Sequence, residues 1–152
     1  MAGNRVTVTV EHTVHVDRPP EAVFDYTQDY ATRSAWDSSV TAAKVVSDEP
    51  RRVEMTMRGI GPFVLEYKLF RRGGRTSAAF NGMRSRLFRG GGGSWDYAPR
   101  DGGTDWTQTS TLEFRNGFVG RLLAPFVRRN MGSVTAKAMA RAREIMESTP
   151  GD

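Results

Sequence analysis

The chain has 152 residues, a net charge of +5 and no cysteine. That length suits one domain, residues 1–152, able to bury a core unaided, and the missing thiols exclude disulfides, thiolate metal sites and cysteine nucleophiles. Three of the 22 basic residues are lysine and 19 are arginine, but they are scattered from Arg5 to Arg143 without interleaved aromatics, which argues against a nucleic-acid stacking surface.

The N-terminal stretch MAGNRVTVTV alternates polar and apolar residues and lacks the apolar core of a signal peptide. No run approaches the roughly 18 apolar residues that span a bilayer, so the expectation is a cytoplasmic protein without stable membrane insertion. Val6, Val8, Val10, Val14 and Val16 alternate with Thr7, Thr9, Glu11, Thr13 and His15, predicting a strand with one buried face. Asp17-Arg-Pro-Pro20 ends it, and Pro20 suits the first turn of a helix. In Glu21–Asp29, Val23, Phe24 and Thr27 share one side, while Glu21, Asp25 and Asp29 form a solvated row on the other. A second helical turn follows over Tyr30–Trp36.

From Val40 onward the pattern predicts six strands: Val40–Val46, Val53–Arg58, Phe63–Phe70, Arg75–Phe80, Arg84–Tyr97 and Thr104–Phe114. Their connectors are short and rich in Gly, Pro, Asn and Asp, with Asn81-Gly82 reading as a two-residue hairpin turn. Short connectors leave no room for crossover helices, so the strands form an antiparallel meander. Phe118–Ser148 reads as one long helix, broken or kinked near Pro125. A seven-stranded sheet must bury one face, and only this helix is large enough to cover it.

The order of elements, with Val14-x-Val16-x-x-Pro-Pro-Glu-x-Val23-Phe24 leading into Asp29 and then Trp36-Asp37-x-x-Val40, resembles the START-like (SRPBCC) superfamily, in its polyketide cyclase/dehydrase and lipid-transport branch. The likeness covers nearly the whole chain, including the Asp101-Gly-Gly-Thr104 turn. It implies an α+β helix-grip fold: a curved seven-stranded antiparallel sheet wrapped around a long C-terminal helix, with two short helices between the first two strands. It also implies a cavity for hydrophobic ligands, in a branch where some members are cyclases or hydrolases and many only bind and carry.

Arg89-Gly-Gly-Gly-Gly-Ser-Trp95 raises the question of a phosphate-binding loop. Such a loop needs a helix after it and a nearby Lys, whereas here aromatics at spacing two follow, a strand pattern. Gly90–Gly93 are therefore expected to bend a long strand around the helix and to leave room beside it.

Side-chain parity nominates the inward residues. Val53, Met55 and Met57 share a face, as do Phe63, Leu65, Tyr67 and Leu69. Trp106, Gln108, Ser110, Leu112 and Phe114 share another, and Trp95 and Tyr97 join them. The helix contributes Leu122, Phe126, Met131, Val134, Ala138 and Ile145. Gln108 and Ser110 stand out, because an apolar core does not hold polar groups without partners. The ligand-binding candidates are His12, Met55, Met57, Phe63, Leu65, Tyr67, Leu69, Trp95, Tyr97, Trp106, Gln108, Ser110, Phe126, Val134 and Ala138.

Catalytic groups are few. His12 and His15 lie three apart on a strand, hence on opposite faces, and cannot share a metal. Asp37 reads as the anchor of a helix-to-strand turn, and no serine sits in a nucleophile elbow. Neither metal nor cofactor is expected. The favoured reading is a binder of a small hydrophobic molecule, a lipid or polyketide-like aromatic. The alternatives are a cyclase/dehydratase using His12, Tyr67 or Gln108, with His12 the weak catalytic candidate, and an interaction module whose arginine-rich hairpin tips meet an acidic partner protein.

Overall fold

A computed structural model describes residues 5–149. In chain order the elements are β1 (Thr7–Val16), α1 (Pro20–Thr27), α2 (Arg33–Trp36), β2 (Val40–Asp48), β3 (Arg51–Met57), β4 (Gly61–Leu69), β5 (Thr76–Asn81), β6 (Phe88–Arg100), β7 (Gly103–Phe114) and α3 (Gly117–Ser148). One seven-stranded sheet runs β1-β7-β6-β5-β4-β3-β2. Every pairing is antiparallel, so the meander from β2 to β7 closes by laying β1 along β7. This is the helix-grip architecture, with α3 packed chiefly against the β1 side of the sheet.

The alternation in β1 does what its pattern requires. Val8 and Val16 are fully buried, while Thr9 and Thr13 face outward. Their hydroxyls pair across the strands with Thr111 at 3.0 Å and Thr107 at 2.7 Å. In α1, Pro20 occupies the first turn and Val23, Phe24 and Thr27 are buried. Glu21, Asp25 and Asp29 are exposed, and Asp25 holds Arg72 of the β4–β5 turn.

Two boundaries depart from the sequence expectation. Arg84–Leu87 are not strand, and Asn81-Gly82 is not a two-residue hairpin, because Asn81 still belongs to β5 and residues 82–87 form a longer connection. Arg115 clamps that connection by donating to the carbonyls of Ser85 (2.7 Å) and Met83 (3.1 Å). Ser85 Oγ accepts from the amides of Leu87 and Phe88 at 3.1 Å. These tertiary bonds satisfy backbone groups that a tight turn would otherwise have paired. Second, α3 runs unbroken through Pro125. Pro125 is exposed, so the backbone bond it omits lies on the solvent-facing side of the helix.

The start of α3 sets the rotation of the whole helix. Asn116 caps it, its Oδ1 accepting from the amides of Phe118 (2.9 Å) and Val119 (3.2 Å). Gly120 then sits so close to Phe114 that a Cβ would lie 2.9 Å from Phe114 Cγ and 3.0 Å from Val6 Cβ. With Gly120 and Ala124 against the core, Phe118, Leu122 and Phe126 turn to solvent. The expectation that Leu122 and Phe126 face inward is thus corrected. Along an i, i+4 row the side chains drift by about 40° per step, so the row that starts exposed at Leu122 and Phe126 has turned inward by Val134 and Ala138.

Candidate functional site

Where β3, β4, β6 and β7 curve away from α3, a cavity of about 300 Å³ remains. Its sheet side is apolar: Met55 and Met57 from β3, Phe63 and Leu65 from β4, Phe80 from β5, Trp95 from β6 and Leu112 from β7. Val134, Met131, Asn130 and Thr135 close it from the helix, and Ile60 and Arg58 of the β3–β4 turn stand at its edge. Gln108 and Ser110 of β7 add polar groups. Gln108 is buried, and its Oε1 accepts the indole N–H of Trp95 at 3.2 Å, which supplies the partner its burial demands.

The glycine run shapes this wall. The register of β6 on β7 shifts between Phe88 and Gly90, the bulge that starts the bend. A Cβ on Gly91 would fall 2.0 Å from the carbonyl oxygen of Thr111, so backbone meets backbone there. A Cβ on Gly93 would lie 3.2 Å from the Trp95 ring, which folds over the missing side chain. The room left by the glycines is filled by an aromatic of the cavity wall.

One end of the cavity is charged. Arg33 and Asp37, both buried, line it together with Ser39. Asp37 does anchor the turn into β2: its Oδ1 accepts the Ser39 amide at 3.1 Å and the Ser39 hydroxyl at 2.5 Å. The Arg33 guanidinium lies 3.7 Å from Asp37 Oδ2, stacks over Trp36 at 4.5 Å and donates to the Thr27 carbonyl at 3.1 Å. Burial opposes its charge, but the pull of Tyr30, Asp37, Tyr67 and Tyr97 outweighs that and holds its pKa above the ordinary arginine value.

Behind Arg33 lies a buried hydroxyl network. Tyr67 bonds to Tyr30 and donates to Gln28 Oε1 at 2.7 Å. Gln28 Nε2 donates to Tyr97 Oη at 2.8 Å, and Thr27 Oγ1 bonds to the same oxygen at 2.7 Å. Burial pushes the Tyr67 and Tyr97 hydroxyls well above the usual tyrosine range. Arg51 covers this cluster, its guanidinium 4.5 Å from the Phe70 ring centre.

Of the residues nominated from sequence, Met55, Met57, Phe63, Leu65, Trp95, Gln108, Ser110 and Val134 line the cavity. Tyr67 and Tyr97 are buried in the hydroxyl network beside it instead. Trp106 is fully buried edge-on against Trp36, with ring centres 5.5 Å apart, and Ala138 packs in the core. His12 is half-buried opposite Gln108 on β1 and outside the cavity wall. His15 bonds to Asp105 on the outer face.

Leu69 and Phe126 are corrections, being 39% and 72% exposed. The β4–β5 register shifts between Tyr67 and Leu69, so parity fails there and Phe70 folds onto Tyr67 and Phe24 in place of Leu69. Sequence reasoning missed the Arg33–Asp37 pair as part of the wall. Its signal was present: an arginine three residues from both Tyr30 and Trp36 and four from Asp37, around one short helix.

Residues 7–147 match the family described as polyketide cyclase/dehydrase and lipid transport. The chain belongs to this family. Among solved structures it is similar to TTHA0849 from Thermus thermophilus, at 20% identity and a TM-score of 0.76, over 94% of this chain and 99% of that one. The Zhui aromatase/cyclase from Streptomyces sp. R1128 shares 13% identity with a TM-score of 0.76, covering 93% and 94% of the two chains. The di-domain aromatase/cyclase BexL of the BE-7585A biosynthetic pathway shares 18% identity with a TM-score of 0.75, over 95% of this chain and 52% of that one. Identities this low establish the shared helix-grip fold. No curated protein matches the sequence.

Proposed function

We propose that this member of the polyketide cyclase/dehydrase and lipid-transport family binds one small hydrophobic molecule, a lipid or a polyketide-like aromatic, in the cavity between its sheet and α3. The observation that carries the reading is the cavity itself. About 300 Å³ of space is walled by three methionines, two phenylalanines, a tryptophan and two leucines, with polar groups at Gln108 and Ser110, at the Arg33–Asp37 end and at Arg58, Asn130 and Thr135. That distribution, an apolar body with a few convergent polar fixtures, suits a ligand held by burial and oriented by one or two hydrogen bonds. Methionines let the wall adapt to shape. Binding is favoured over catalysis through His12 or Tyr67, because His12 lies off the cavity wall and the Tyr67 hydroxyl is engaged by Tyr30 and Gln28.

The test is titration of the purified protein with an apolar fluorescent probe such as anilinonaphthalene sulfonate, followed by probe emission and by quenching of Trp95. One saturable site per chain is expected. Val134→Trp, which fills the cavity from the helix, should weaken binding at least about tenfold, or 1.4 kcal/mol. Leu69→Ala, outside the cavity, should leave it unchanged. Absence of saturable binding by folded protein sinks the reading.

A further inference from the structure

The first three turns of α3 carry a feature the cavity does not use. Phe118, Leu122 and Phe126 are 71%, 60% and 72% exposed. Spaced by four, they form one row about 12 Å long. Gly120 and Ala124, two residues out of step and roughly 160° around the helix, hold the core face, so the row points away from the sheet.

The charge around it is one-sided. From Gly117 to Arg143 there is no acidic residue, while Arg121, Arg128, Arg129, Lys137, Arg141 and Arg143 are all basic. With Glu144 and Glu147 near its end, α3 carries six cations and two acids, a net +4 against +5 for the whole chain, so the positive excess is concentrated on α3. Arg129, three residues on from Phe126 and about 60° around the helix, and Lys137, eleven residues on and about 20° around, are exposed on the face of the apolar row. On α3, Arg141 pairs with Glu144 and Arg143 with Glu147, and the hairpin arginines are paired too: Arg72 with Asp25, Arg75 with Asp96 and Arg100 with Asp105.

We propose that this segment docks the protein on an anionic lipid surface, with Phe118, Leu122 and Phe126 entering the acyl boundary and Arg129 and Lys137 meeting head-group phosphates. An element with large apolar side chains on one face and cations beside them lies in the interface plane without spanning it. No helix among the described residues is long and apolar enough to cross a membrane, so docking is peripheral. The charge complementarity selects an anionic surface over a neutral one. Shape selects lipid over protein: the row is convex, and a bilayer accepts it without the matching pocket that a protein hot spot requires. The next turns of the same helix, at Asn130, Met131 and Val134, line the cavity, so docking sets the ligand site beside the lipid. That last consequence rests on the binding reading above; the docking does not.

The experiment is flotation of the full chain with phosphatidylcholine vesicles, and with vesicles in which about one-third of the lipid is phosphatidylglycerol. Binding to the anionic vesicles alone, weakened by added salt, is expected. Arg129→Glu with Lys137→Glu should lower the partition at least about tenfold, since one such cation near this kind of surface contributes roughly fivefold. Phe118→Ser, Leu122→Ser and Phe126→Ser together should do the same with an unchanged melting temperature, because none of the three is buried. Equal binding to neutral vesicles, no binding to anionic ones, or variants that bind like the parent would overturn the proposal. So would a dimer, seen by sedimentation and abolished by the triple serine variant, in protein that ignores vesicles. Probe binding to the cavity, read in the same samples, fails or survives independently of the vesicle result.

Discussion

Gly91 and Gly90 are neighbours in one strand, yet alanine at the two positions should have opposite effects. Neither has a positive φ, so the backbone at both sites admits an L-residue and only space distinguishes them. At Gly90 an added Cβ finds its nearest neighbour, the Phe80 carbonyl oxygen, at 3.6 Å, an ordinary contact. Gly90→Ala should therefore be neutral or stabilising by about 0.4–1 kcal/mol, through the lost freedom of the unfolded chain. At Gly91 the Cβ falls 2.0 Å from the Thr111 oxygen, 3.0 Å from its carbonyl carbon and 3.2 Å from Leu112 Cα. All three are backbone atoms, so no rotamer change relieves them and β6 must move off β7. Overpacking of this kind costs roughly 1–3 kcal/mol, and each weakened ladder bond about 1 more. The expected loss is about 3 kcal/mol. In urea, with a slope near ~2 kcal/mol/M, the unfolding midpoint of Gly91→Ala should fall by roughly 1.5 M. Gly91 pairs with Phe80 and Leu112, both of which line the cavity, so probe affinity should fall as well. A Gly91→Ala protein whose midpoint matches that of Gly90→Ala would refute the view that this glycine exists for a close backbone approach.

Two further outcomes follow from burial. Tyr67 and Tyr97 have folded pKa values raised above the unfolded value near 10, so the stability they contribute is fully present below that pH and is lost as pH rises from there toward the folded values; the urea midpoint should fall above pH ~10, and a spectrophotometric titration in which Tyr67→Phe and Tyr97→Phe remove ordinary-range absorbance change would contradict this. Leu65→Ala should cost about 2–5 kcal/mol and Leu69→Ala under about 1, although both residues alternate on one strand; equal losses in chemical denaturation would contradict the bulge after Tyr67.

Much of what is written at short range was legible in the amino-acid order. The valine alternation of β1, the proline pair before α1, the turn residues from β2 to β7 other than Asn81-Gly82, and the length of α3 each express a local preference that the fold obeys. Together they specify an antiparallel sheet and a helix big enough to cover it. Parity put Met55, Phe63, Leu65, Trp95 and Gln108 on the faces that line the cavity, because a stretch of strand without a bulge keeps its period. Leu69 escaped parity because a bulge sits between it and Tyr67, and a bulge is set by how two strands meet. Phe126 and Leu122 were placed wrongly because the rotation of α3 is decided by the fit of Gly120 against Phe114 and Val6, a contact between three elements. The Arg33–Asp37 pair was visible as a spacing, but its meeting with β3 and β7 around one space depends on the curvature of the sheet. Local propensity is read residue by residue; the cavity arises where a bent sheet and a rotated helix fail to touch, and that gap is a property of tertiary packing alone.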